Sequence, residues 1–214
     1  MKRYAFGIDK YQAEWIFAPI RSRQDALVIL LKVVKILLIN QSPANEQTAG
    51  QIVLAVSKMS RIFFVSDAKV YSLAFPFFVS EKEGVFSFKS HSHSSIDHRV
   101  TSDLLSLLEA PRVFSSSEVL EFAESVDDIA QFDFQIWALF RDLLMSEEGY
   151  IRYDYDEKHQ NGHYHPINHF DVFFSNSSTF KLGLRSRTDI DAFIDLLDGN
   201  TECHYVSVAP KTGW

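Results

Sequence analysis

A single cysteine, Cys203, leaves this 214-residue chain without an intramolecular disulfide and without a cysteine-rich zinc site. That usage fits a reducing compartment, where a lone thiol packs as a small apolar side chain. Glycine and proline are scarce as well, at 8 and 6 residues, which excludes the composition of a long disordered tail. No apolar run is long enough to span a bilayer. The best candidate, Ala26 to Ile39, covers 14 residues and is interrupted by Lys32 and Lys35, against the ~20 that a spanning helix needs. No continuous apolar segment follows Met1, Lys2, Arg3 and Tyr4, so no signal peptide is read there and a cytoplasmic location is expected. Also missing are a Walker-type glycine loop, a dinucleotide-binding glycine motif, a Gly-x-Ser-x-Gly elbow and a His-Glu-x-x-His metalloprotease motif.

Positive charge is in short supply. With 21 Lys and Arg against 28 Asp and Glu, the formal net charge is −7. A surface that tracks many phosphates by releasing counterions is therefore not expected, and nucleic-acid binding would need a local basic patch. Two loose groups exist, Arg21, Arg23, Lys32 and Lys35, and Lys181, Arg185 and Arg187, neither dense enough to decide the matter.

What the chain has in quantity is apolar and aromatic side chains, 46% and 14% with 19 phenylalanines, enough to bury a full core in one domain. The pattern predicts a single α+β domain in which antiparallel meanders pack against several helices. Residues 1–60 read as helical: Ser22 and Asp25 form a capping box before the apolar run from Ala26, and Ser42 and Pro43 look like the start of a second helix reaching Lys58. A first meander is expected over 61–90, with its turn at Glu81 to Gly84. The segment from Ser90 to Arg99 reads as a loop. A helical part over 100–146 includes short helices at Thr101 to Leu108 and Ser117 to Glu124 and a longer one from Asp127 to Met145. A C-terminal meander and helix occupy 149–208, with strands near Tyr150 to Tyr155, Phe170 to Ser175, Thr179 to Leu184 and Cys203 to Val208, and a helix from Asp189 to Leu197.

The densest group of reactive side chains lies in this last part. Along a strand, Arg152, Asp154 and Asp156 share one face. If the next strand starts near His169 and pairs back, His169 and Asp171 lie beside Arg152 and Asp154. Such a group suits two chemistries. Carboxylates with a histidine can hold a divalent metal that polarises a phosphodiester, with Arg152 stabilising developing charge. Alternatively His165 and His169 can serve as metal-independent acid and base. The same residues also suit plain cross-strand ion pairs. A second group, His91, His93 and His98 with Asp97 nearby, reads as a solvated loop more readily than as a metal pair.

The run Arg152, Tyr153, Asp154, Tyr155, Asp156, followed by His165, Pro166 and His169 and another strand, resembles the uncharacterised bacterial domain-of-unknown-function family 2290 over about the last third of the chain. Phe180 to Leu184 departs from the Arg-Ile-Pro-like segment expected at that point. The resemblance implies a bacterial intracellular protein, with Arg152, Asp154, Asp156, His165 and His169 as site positions, and it names no reaction. Two functions are expected. The first is a non-catalytic accessory subunit, without cofactor, that binds a protein partner or a second copy of itself in a nucleic-acid-processing or phage-defence assembly. The second is a nuclease or phosphodiesterase using those five residues, with a divalent metal as its one possible cofactor.

Overall fold

The structure, a computed structural model, describes residues 1–41, 43–44, 47–67, 69–110, 133–162, 164–173, 180–202 and 204. Its centre is a seven-stranded antiparallel sheet of order β1-β2-β3-β4-β7-β8-β9. The strands are β1 (Lys2–Ile8), β2 (Gly50–Val56), β3 (Arg61–Val65), β4 (Lys69–Ala74), β7 (Ile151–Tyr155), β8 (Asn168–Val172) and β9 (Phe180–Gly183). A separate hairpin, β5 (Phe78–Lys82) with β6 (Val85–Lys89), turns at Glu83 and Gly84, both of which have positive φ (53° and 81°). Two successive positive φ values match the right-handed twist of the flanking strands, which is the turn expected at Glu81 to Gly84.

Helices cover both faces. On one side lie α2 (Arg23–Ile39), α3 (His98–Glu109) and α4 (Phe134–Met145), whose Leu31, Val34, Leu37, Leu104, Leu107 and Phe140 join Ile8, Ile52, Leu54, Ile62, Phe64 and Leu73 in the main core. On the other side α5 (Ile190–Leu196) lays Phe193 and Ile194 on Val53, Ala55, Phe63, Tyr153 and Phe170. This is a single α+β domain. Among the described residues no helix is long and apolar enough to cross a membrane.

Local signals explain the helix starts. Ser22 and Asp25 bond each other's backbone N–H groups at the start of α2, and Asp9 and Gln12 do the same for the short α1 (Lys10–Ile16). Asp97 and Asp189 cap α3 and α5. Each cap satisfies amide groups that no helical carbonyl can reach.

Three expectations are corrected. Residues 1–60 are not uniformly helical, because β1 opens the chain and β2 replaces the helix expected from Ser42 to Lys58, Ser42 itself lying outside the described residues. Ile52, Val53, Leu54 and Ala55 are buried on both faces of the sheet. A strand buried on both sides reads as an unbroken apolar run, which periodicity cannot separate from a buried helix. The two expected meanders are not separate, since β4 pairs antiparallel with β7 from Ser72 opposite Ile151 to Lys69 opposite Asp154, while β5 and β6 of the first meander form a hairpin apart from that sheet. Finally, α3 begins inside the expected loop, at His98. The expected helix at Ser117 to Glu124, the start of the one at Asp127, and the strand at Cys203 to Val208 fall outside the described residues.

Candidate functional site

The junction of the two meanders builds the site. Gly149, with φ of 52°, lies two residues before β7 at a point where an added Cβ would lie 3.1 Å from the Arg61 guanidinium, so only glycine turns the chain there without strain. Burial lowers the Arg61 pKa to about 10, and its guanidinium donates to Ser72 Oγ and the Gly149 carbonyl. From this anchor, register sets two rows across four strands. Tyr71, Arg152, Asp171 and Lys181 form one, and Lys69, Asp154, His169 and Gly183 form the other. Directly opposed residues in an antiparallel pair share a face. Alternate residues Tyr153 and Phe170 point the other way, into the core under α5.

The charged side chains converge. Arg152 bonds Asp154 through Nε, 2.9 and 2.8 Å from the two carboxylate oxygens, and through a second nitrogen at 2.6 Å. It also donates to Asp171. Lys181 Nζ lies 2.7 Å from Asp171 Oδ1 and 3.0 Å from His169 Nε2. His169 Nε2 is 3.7 Å from both carboxylates. Its Nδ1 donates to the Pro166 carbonyl at 2.7 Å, and since an ammonium has only donors, Nε2 is the acceptor toward Lys181. One donor atom each from Asp154, His169 and Asp171 lie within 4.8 Å of one another, close enough that the three could hold a metal ion. Among the described residues, no other group of histidines, cysteines and carboxylates lies close enough to hold an ion.

Electrostatics follows from burial. Dehydration opposes the Arg152 charge, but the bond to Asp154 and the fields of Tyr150, Asp154 and Asp171 outweigh it and raise its pKa. Lys69 stands opposite Asp154 but turns its ammonium to the Phe17 carbonyl at 3.2 Å. Its pKa is lowered by burial and by repulsion from Arg152, with Asp154 opposing. Two cations, Arg152 and Lys181, face two anions, Asp154 and Asp171, so the cluster is balanced in charge.

Of the five residues singled out in the sequence, Arg152, Asp154 and His169 meet here. His165 stands behind, its ring 4.7 Å from that of His169 and edge-on to it, with Nδ1 buried and unpartnered among the described residues. Asp156 is elsewhere. The strand ends at Tyr155, and the Asp156 carboxylate turns to His159, 2.9 Å away, whose bond holds its pKa low. The second histidine group does not assemble: Asp97 caps α3 and the His91 ring lies edge-on against Phe78 at 4.8 Å. Sequence reasoning missed Lys181 as a site residue. Its signal is period two, since Lys181 and Gly183 alternate on β9 just as His169 and Asp171 do on β8.

No family model matches the chain, and no curated protein or solved structure is significantly similar to it. The resemblance to family 2290 therefore rests on its motif residues alone.

Proposed function

We propose that the protein is a divalent-metal-dependent phosphodiesterase acting on nucleic acid, with Asp154, His169 and Asp171 as the ion's ligands and Arg152 and Lys181 as stabilisers of the phosphoryl charge. The observation that carries this reading is the convergence of those three donors within 4.8 Å, with the two cations directly beside them. Burying charge is costly, and an ion-paired cluster is weak evidence for stability alone.

Burial favours the metal-assisted chemistry over the metal-independent one. The His169 side chain is only 1% exposed and both ring nitrogens are engaged. A general acid or base must come within hydrogen-bond reach of the substrate, whereas a metal ligand need only reach the ion. Three ligands leave positions open for a water and a phosphate oxygen. A divalent ion held by Asp154, His169 and Asp171 would supply Lewis acidity toward a phosphoryl oxygen and would activate a water as nucleophile, and Arg152 and Lys181 would face the charge that develops there. Hydrolysis of a phosphodiester there would add water across the P–O bond and leave a phosphomonoester and an alcohol. Lys181 Nζ bonds both Asp171 and His169, so an ion held by those two residues would require this lysine to swing outward on its four-carbon stem.

The experiment is cleavage of labelled RNA and DNA with Mg²⁺, Mn²⁺ or chelator. Metal-dependent cleavage by the wild type, lost in a folded Asp154→Asn variant, supports the reading. Cleavage that persists in chelator, or in Asp154→Asn, contradicts it.

A second reading is a non-catalytic subunit that binds a protein partner or a second copy of this chain. The charge balance of the cluster favours it, because two acids and two bases satisfy each other without an ion. Exposed Tyr11, Phe78 and Phe134 would serve as interface anchors. Under this reading no divalent ion binds the cluster, and size-exclusion chromatography with light scattering finds a dimer or a stable complex.

A further inference from the structure

Lys181 belongs to two places at once. One side of it is the ion cluster, and the other is a groove of about 320 Å³ lined by Gly162, Tyr164, Pro166, Gly183, Leu184 and Arg185. That volume is near the lower end for ligand sites, roughly 300–1,000 Å³. Its lining contains two cations and no acidic side chain, in a chain whose net charge is −7. Arg185 is exposed, which puts its guanidinium within reach of a ligand in the groove it lines. Tyr164 is 87% exposed, a large ring held out into water at the groove's edge. Only its backbone is tied down, by a bond to the Asn161 carbonyl at 3.0 Å. Glycine at position 183 keeps the floor open, since a Cβ there would meet the Pro166 ring at 2.9 Å.

From this we infer that the groove binds single-stranded nucleic acid, with a phosphate on Arg185 and Lys181 and a base stacked on Tyr164. The inference rests on the phosphodiesterase reading of the adjoining cluster and names that site's substrate class. An exposed aromatic ring beside a few cations is the arrangement that holds single strands, because every base has a face to stack. In a duplex both faces of a base are covered by its neighbours, leaving none for Tyr164. Two phosphate contacts are few, so binding is weak and only shallowly dependent on salt, with a slope of about −1.4 from ~0.7 per contact on a single strand. Binding draws Lys181 toward the strand's phosphate and away from Asp171 and His169, which links substrate docking to opening of the metal position.

The test is fluorescence anisotropy of the full chain in chelator, using a labelled oligothymidylate of about six nucleotides, within the ~4–16 typical of single-strand sites. A self-complementary duplex and inorganic phosphate serve as the other probes. Preferential binding of the single strand is expected, weakened about tenfold by Tyr164→Ala through lost stacking, with a salt slope about 0.7 shallower in Arg185→Ala. Both residues are exposed, so circular dichroism should find both variants folded. Equal binding of duplex, competition by phosphate alone at the oligonucleotide's own affinity, or unchanged binding by both variants overturns the inference. The chelator separates it from the reading it rests on. Binding without any metal-dependent cleavage sustains the groove while the phosphodiesterase reading fails. Cleavage with an unchanged KM in both variants does the reverse.

Discussion

Asp171 carries most of the cluster's electrostatics, because it accepts from both Arg152 and Lys181 while its side chain is only 5% exposed. Removing one partner of a buried pair strands the other charge and costs roughly 3–5 kcal/mol. Asp171→Ala should therefore lower unfolding stability by about that amount in urea denaturation, whereas Asp156→Ala, whose carboxylate faces His159 on a loop, should change it by under ~0.5 kcal/mol. Equal effects of the two would place the cluster's centre wrongly. Tyr71 offers a pH test. Its phenol is buried, donates to the Ile16 carbonyl at 2.6 Å, and has a pKa well above 10 because burial, aided by Tyr150, disfavours the phenolate. The unfolded chain releases this proton near pH 10 while the folded one keeps it. The stabilisation is thus complete below pH 10 and declines above it, by on the order of 1 kcal/mol per pH unit. Tyr71→Phe should flatten that alkaline decline in denaturation measured between about pH 9 and 11, and an unchanged slope would assign the decline to other groups. At this scale the period-two pattern made Arg152, Asp154 and His169 legible. Asp156 was misplaced because the alternation was carried one residue past Tyr155, where both the expected strand and β7 end and the period-two rule no longer holds.

Among the elements, β9 and the loop before β8 decide how the site works. Gly183 sits opposite His169, and the Pro166 ring that a Cβ would strike belongs to the residue whose carbonyl holds His169 Nδ1. Gly183→Ala should displace that carbonyl, loosen the imidazole and weaken divalent-ion binding about tenfold, the lower end of what disturbing an outer-shell partner costs. Calorimetric titration reads this directly, and unchanged affinity would detach Pro166 from the site. Lys181→Met removes the competing ammonium while keeping the stem, so ion affinity should rise, by about tenfold or more given that an ammonium and a dication seek the same two donors. A loss of affinity would instead make Lys181 a support of the site. The capping boxes of α2 and the turn of the β5–β6 hairpin were legible because the signal sits within four residues. Strand β2 was not, because burial on both faces erases the alternation that distinguishes a half-exposed strand.

For the molecule as a whole, the decisive feature is the pairing of β4 with β7, which joins residues about 80 positions apart and links the two meanders. Fold class was legible from the order of helical and strand-like segments, yet this pairing was not, since no local pattern encodes which edge strands meet. Its consequence is functional. The apolar face of the main core on β1 to β4 continues past Tyr71 as a charged face on β7 to β9, and there Asp154, His169 and Asp171 converge. Whether that face takes an ion is answered most directly by Mn²⁺ titration followed by electron paramagnetic resonance, on the wild type and on Asp154→Asn. The account predicts that the wild type sequesters Mn²⁺ at one site and that Asp154→Asn, still folded, leaves it free in solution. Equal signals from free Mn²⁺ in the two proteins would contradict it and leave the cluster as an ion-paired brace between strands.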